Sequence, residues 1–184
     1  FVRTQVPSFR LPEKVLDEEV ERILSMGVKA HFNHRVESLK AVVDQGYDAV
    51  FVGTGAPRGR DLPLPGRSEG GASIYIGIEW LAGVLYRHVT RSGPRVLVLG
   101  GGNTAMDCCR TAKRLGAEEV TVVVRSPKDR MKASPWEIED AQEEGIPIVD
   151  NHNPLQFVIE NGKLVGMTFE KMTLQQEEGG EERL

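Results

Sequence analysis

Six consecutive residues, Gly100-Gly101-Gly102-Asn103-Thr104-Ala105, carry the most specific chemistry in the chain. They follow a short apolar run, VLVL at 96–99, and lead into a segment of helical character, so the glycines fall where a strand turns into a helix. In the pattern Gly100-x-Gly102-x-x-Ala105, the first glycine permits a tight turn and the second lets a phosphate approach the backbone. The alanine lets the helix lie close to the strand. The unpaired N–H groups and partial positive charge of the helix N-terminus favour an anion, and the pyrophosphate of a dinucleotide is the expected ligand. A second apolar run, 120–124, returns where a β-α-β unit requires its second strand.

The residue at the end of that second run selects between cofactors. An Asp or Glu there would hydrogen-bond the adenosine ribose hydroxyls, whereas an Arg accommodates a 2′-phosphate. The residue is Arg125, followed by Ser126, Lys128, Arg130 and Lys132, with Asp129 the only acid among them. A guanidinium can bond a phosphate through two parallel N–H groups, so NADP(H) is expected over NAD(H).

Other reactive residue types point to no further site. Cys108 and Cys109 are adjacent in sequence, so their Cα atoms lie about 3.8 Å apart, below the roughly 4.4 Å usual for a disulfide. No C-x-x-C occurs, which removes the common dithiol, zinc and iron–sulfur frameworks. His31, His34, His88 and His152 are scattered without metal-ligand spacing. Asp107 has two open roles, contacting the cofactor or orienting the turn, and Trp80 and Trp136 read as core or interface packing residues. No side-chain acid or base is assigned to catalysis.

The elements that must position this turn follow from periodicity and punctuation. A helix is expected after Pro12, with Val15, Leu16, Val20, Ile23 and Leu24 as its apolar stripe, ending before Gly27. VKAHFN (28–33) alternates like a strand, and YDAVFVGTG (47–55) has the short apolar run of a buried parallel strand. The Pro- and Gly-rich stretch that follows reads as a connector, with a boundary near Pro65 dividing 1–65 from 66–184. A helix is expected at 78–88, then the β-α-β unit. Beyond it comes a helix capped by Ser134, with Pro135 first and Glu137 at the capping-box spacing. IPIVD supplies a third strand, Asn161-Gly162 a type I′ hairpin turn, and the acidic end a solvated tail. The fold class is α/β, a Rossmann-like three-layer nucleotide-binding domain with a β-hairpin.

Bulk properties exclude several partners. The 184 residues hold 23 Lys+Arg against 27 Asp+Glu, net −4, so no overall field favours nucleic acid or an anionic membrane. No apolar run approaches the roughly 20 residues that span a bilayer, and a cytoplasmic protein is expected.

GGGNTAMDCCRTAKRLGAEEVTVVVR and MKASPWEIEDAQEEGI together resemble the NADPH-dependent small (beta) subunit of glutamate synthase and its flavoprotein relatives. PSFRLPEKVLDEEVERILSMGV and YDAVFVGTGA extend the likeness over nearly the whole chain. The resemblance implies an FAD domain with an inserted NADPH domain, hydride passing from nicotinamide to flavin. On that pattern Asn103 would touch the nicotinamide half, and Arg125, with Ser126 and Lys132, would hold the 2′-phosphate. Ser126 departs from the family's basic pair. Glu137 would either reach the cofactor or cap its helix.

The expected cofactor set is thus Gly100, Gly101, Gly102, Asn103, Thr104, Ala105, Arg125, Ser126, Arg130, Lys132 and Glu137. The family's FAD fingerprint would lie upstream and its closing strand downstream, so the resemblance reads the chain as an internal piece and residues 1–65 as the tail of an FAD segment. FAD is then expected only in an intact protein. The expected partners are the remaining FAD segments and an iron–sulfur or amidotransferase subunit. An open sheet edge and the apolar 49–52 would invite a homodimer. The competing reading is a non-catalytic module that senses a dinucleotide or scaffolds a partner. A self-contained NAD-linked dehydrogenase is disfavoured, since no substrate domain or catalytic His/Lys set is evident.

Overall fold

A computed structural model of the chain describes residues 2–56 and 58–173, together with the backbone of 175–176 and 182–183. The acidic tail lies largely outside the described residues. At the centre is a parallel sheet of order β1-β2-β3, made of β1 (Arg95–Leu99), β2 (Glu119–Val123) and β3 (Ile148–Val149). β1 and β2 pair in register from Arg95↔Glu119 to Leu99↔Val123, which sets their C-terminal ends side by side.

Between them runs the crossover helix α5 (Asn103–Arg114), the best-buried helix among the described residues. Lys113 and Arg114 occupy its last turn, where cations complement the carbonyl end, and Gly116 at φ 92° lies just past it. Its inner face, Ala105, Met106, Cys109 and Ala112, packs on Val120, Val122 and Val124 to form the core, with Val96 and Val98 of β1 against it. The opposite face of β1 is open, Leu97 being 47% and Leu99 36% exposed. The parallel α/β unit is the architecture expected from the sequence.

Flanking elements are largely as the sequence reads. α4 (Gly77–Leu85) lies against α5, where a Cβ on Gly77 would come within 2.9 Å of the Cys108 sulfur. It stops earlier than 88 because Arg87 takes φ 60°. α6 (Pro135–Glu143) has Ser134 as its N-cap and Pro at its start. The hairpin β4 (His152–Glu160) and β5 (Lys163–Lys171) turns through Asn161 and Gly162, both at positive φ as a type I′ turn demands. The Pro65 carbonyl accepts from Phe157 N at 2.9 Å, so the connector leans on that hairpin.

The first half behaves differently. α1 (Val2–Gln5) packs against α4, and α2 (Glu13–Ser25) starts after Pro12 as expected. None of α2 is buried, however, and Val15 and Ile23 of its stripe are 46% and 48% exposed. Only a short helix, α3 (Leu39–Val43), follows, capped by the Ser38 hydroxyl. The strands expected at 28–33 and 47–55 do not form: both stretches lack strand pairing, and Phe51 is 95% exposed. The reason is physical. A strand needs a neighbour for its backbone groups, and the described residues supply none for these two stretches.

Candidate functional site

The turn at the end of β1 is built as its glycines require. Gly100 takes φ 124°, a conformation that L side chains rarely adopt, and its N–H donates to Val123 O at 3.0 Å. Gly101 is structural: a Cβ there would meet Val124 Cγ1 at 2.8 Å and Met131 Cγ at 3.1 Å. Gly102, the N-cap of α5, has nothing within 4 Å of where a Cβ would stand, and no side chain caps the helix. The start of α5 is therefore open to a ligand. Ala105, 7% exposed, lies in the helix-to-strand contact that its place in the motif calls for.

The parallel register brings Arg125 to the same edge of the sheet, two residues past the Leu99↔Val123 pair. Its side chain is exposed, as is that of Lys132; Ser126 is half-buried. The loop that carries Lys132 is tied to the glycine turn by Ala133 N donating to Gly101 O at 2.9 Å and by Met131 packing on Gly101. Arg130 and Lys128 stand in a short 3-10 turn of that loop, where Lys128 Nζ donates to Gln142 and its backbone N–H to Asp150.

Two of the expected site residues are held by neighbours, and one expected bond does not form. Asn103 Oδ1 accepts from Ser134 N at 2.8 Å, and its Nδ2 donates to Ser134 Oγ at 3.4 Å, so its amide joins the glycine turn to the start of α6. The capping box is consequently not formed. The N–H that Glu137 would have reached is already taken by Asn103, and Ser134 makes no side-chain cap bond. Glu137, 4% exposed, instead accepts from Arg10 Nε at 2.6 Å and Arg110 Nη1 at 3.0 Å.

Beside the turn lies a cavity of about 370 Å³ lined by Asn103, Thr104 and Asp107 of α5 and by Val6, Arg10 and Leu11 of the N-terminal segment. Arg10 Nη1 donates to Asp107 Oδ2 at 2.8 Å, while the buried Oδ1 has no partner. Burial pushes the Asp107 carboxyl up to about 6, against the pull of Arg10. Farther along α5, Arg110 and Arg114 bond Glu144, and hydrogen bonds from Arg114 hold the Glu144 carboxyl below its usual range. The same two arginines lie over the Phe9 ring, at 4.9 and 4.0 Å from its centre. Val6, Arg10 and Leu11 thus line the cavity, with Phe9 packed behind it, although the glycine motif does not mark them; within the stretch that carries the resemblance, the signal is only that aromatic and cation stand together in the run SFR.

The remaining candidates stay structural. Burial pushes the Cys109 thiol up to about 12 and raises that of Cys108 as well, so both are poor thiolates. No group of His, Cys, Asp and Glu suited to a metal occurs among the described residues. Trp80 packs on the core as expected, but Trp136 is 63% exposed.

A glycine turn at the C-terminal end of parallel strands, with its crossover helix packed beneath, defines an α/β protein of the nucleotide-binding type. Residues 5–181 match the family described as pyridine nucleotide-disulphide oxidoreductase, and the chain belongs to that family.

Among its relatives, the beta subunit of the NADP(+)-dependent formate dehydrogenase of Moorella thermoacetica is 38% identical over 92% of this chain and 24% of its own length. The Escherichia coli NAD-dependent dihydropyrimidine dehydrogenase subunit PreT is 35% identical over 95% of the chain and 41% of its own. The small chain of the E. coli NADPH glutamate synthase is 32% identical over 88% and 37%, in line with the resemblance read from the motifs. The chain therefore spans between a quarter and about two-fifths of these relatives. Mycobacterium tuberculosis FprA has the same fold over 99% of this chain and 56% of its own, at a TM-score of 0.74 and 15% identity. No helix among the described residues is long and apolar enough to cross a membrane.

Proposed function

We propose that this chain is the NADPH-binding portion of a flavin-dependent oxidoreductase in which hydride passes from NADPH to FAD. The observation that carries the reading is the open N-terminus of α5 at Gly102, facing the same sheet edge as Arg125. Gly100 and Gly102 would let the pyrophosphate meet the first N–H groups of α5. Arg125, with Ser126, Arg130 and Lys132 on the adjoining loop, would take the 2′-phosphate. Asn103 and Thr104, which line the cavity, would face the nicotinamide end. When bound, the nicotinamide supplies the hydride; the chain's own residues bind it, orient it and limit its exposure to water.

The domain boundary near residue 65 belongs to the same proposal, as do the remaining FAD segments and an electron-accepting subunit as partners. The formate dehydrogenase relative is itself named as a subunit. Gly53, Thr54 and Gly55 are exposed and belong to no sheet.

Relatives named for NADP and for NAD stand side by side, and Arg125 is what favours NADP. Calorimetric titration with NADPH and NADH tests this directly. Tighter binding of NADPH, lost in Arg125→Ala, is expected; equal affinities would remove the NADP assignment, and absence of binding would favour a scaffold.

A further inference from the structure

The glycine turn presents an electrostatic conflict. A helix N-terminus offers an anion about half a positive charge, yet this fold buries two carboxylates close behind it. Asp107 is five residues beyond Gly102, about 7.5 Å along the helix axis, and is 4% exposed. Glu137, in the first turn of the neighbouring helix, is equally buried. The axial rise to Asp107 is comparable with the roughly 8 Å over which physiological salt screens a charge, Glu137 is bridged to Asp107 through Arg10, and buried charges are screened less still. Uncompensated, they would repel the phosphates that the turn is shaped to receive.

One side chain answers both. Arg10 Nη1 lies 2.8 Å from Asp107 and its Nε 2.6 Å from Glu137, and the guanidinium lines the cavity at the start of α5. Glu137 has a second cation in Arg110, but among the described residues Asp107 has no other hydrogen-bonded cation, and its Oδ1 has no partner. The surrounding charges do not make up the difference. Arg110 and Arg114 are already matched by Asp140 and Glu144 as well as by Glu137. Arg10 is held for the task by its neighbour Phe9, which packs under Arg110 and Arg114, and by the turn in which the Arg10 and Leu11 N–H groups donate to Pro7 O.

We infer that Arg10 is a positioning residue of the dinucleotide site: it neutralises Asp107 and Glu137 so that the start of α5 can hold an anionic cofactor. The inference rests on the dinucleotide reading above. It adds a residue about 90 positions upstream of the glycine motif, so that the site is complete only when the N-terminal segment is docked.

The test is NADPH binding by calorimetry at pH 8.5 to the 184-residue chain and to Arg10→Met, Arg10→Lys, Asp107→Asn and Arg10→Met/Asp107→Asn. Thermal melting checks each fold. Arg10→Met is expected to weaken binding roughly tenfold, with Arg10→Lys in between. The double variant should regain most of the loss, because the charge that repels is gone. A merely structural staple predicts the opposite, a double variant as weak as Arg10→Met, and that result overturns the inference. So does wild-type affinity in a folded Arg10→Met. If Arg10→Met does not fold, Asp107→Asn alone decides: binding roughly threefold tighter supports the inference, and weaker binding overturns it. Failure of the unaltered chain to bind NADPH refutes the dinucleotide reading itself, and the inference with it.

Discussion

Two apolar tetrapeptides, VLVL at 96–99 and AVFV at 49–52, meet opposite fates in this molecule. The first becomes β1, paired to β2 along its length, with Val96 and Val98 turned onto the core beneath α5. The second belongs to no strand and is unpaired, with Val50 37%, Phe51 95% and Val52 53% exposed. Their residues have similar strand propensity, so propensity does not decide between them. What differs is the neighbourhood: 96–99 is followed by a helix of 12 residues and a second strand that pairs beside it, which supplies the partner its backbone groups need. α2 sharpens the point, since a helix satisfies its backbone internally and forms even where no residue of it is buried.

If that contrast is correct, stability resides in the crossover unit. Met106 is fully buried in the core, and Met106→Ala should lower the unfolding free energy by ~2–5 kcal/mol, read from denaturant titration. A loss below ~1 kcal/mol would mean that the core carries less than its burial implies. The next effect divides the glycines. Gly101→Ala places a Cβ against Val124 and Met131 and should cost ~1–3 kcal/mol. Gly102→Ala meets open space and, at the helix N-cap, should cost no more than ~1 kcal/mol while weakening NADPH binding. If Gly102→Ala binds NADPH as the unaltered chain does, the pyrophosphate is not at that turn.

The ion pairs predict a smaller effect with a definite sign. The Glu144 carboxyl is held below its usual range by Arg114 and Arg110, so its stabilisation is present above the unfolded pKa and is lost as pH falls through the folded one. Glu144→Gln should therefore cost ~1–2 kcal/mol at pH 7 and little near pH 3. Asp107 runs the other way. Its carboxyl is raised from 3.8 to about 6, so its contribution is fully present below pH 3.8 and is lost as pH rises through 6. Asp107→Asn should flatten the stability profile between those limits. A profile unchanged by Asp107→Asn would show that burial does not perturb this group.

Signals local in sequence were legible without coordinates. The glycine turn, the crossover, the Asn161-Gly162 hairpin and the helix after Pro12 each depend on residues a few positions apart. Signals that depend on distant partners were not. The capping-box spacing of Ser134 and Glu137 is real, yet Asn103, 31 residues before Ser134, takes the N–H that the box would use. Arg10 stands 97 residues from Asp107 and 127 from Glu137, and no local pattern links them. The strands expected at 28–33 and 47–55 carried the right residues, but nothing in a single stretch reveals whether a partner strand lies beside it.

The smallest expected effect is also the most direct probe of the first half. Phe51 exposes 95% of its surface, so it has almost no contacts to lose, and Phe51→Ser should shift the unfolding free energy by no more than ~0.5 kcal/mol. The same change in a packed strand would remove a large apolar side chain from the interior and cost several-fold more. Circular dichroism melts of Phe51→Ser and Met106→Ala under one set of conditions set the two regions on one scale. A shift for Phe51→Ser comparable with that of Met106→Ala would mean that 49–52 is packed in solution, with a partner strand supplied by another copy of the chain. In that case the difference between VLVL and AVFV would lie in assembly and not in the crossover.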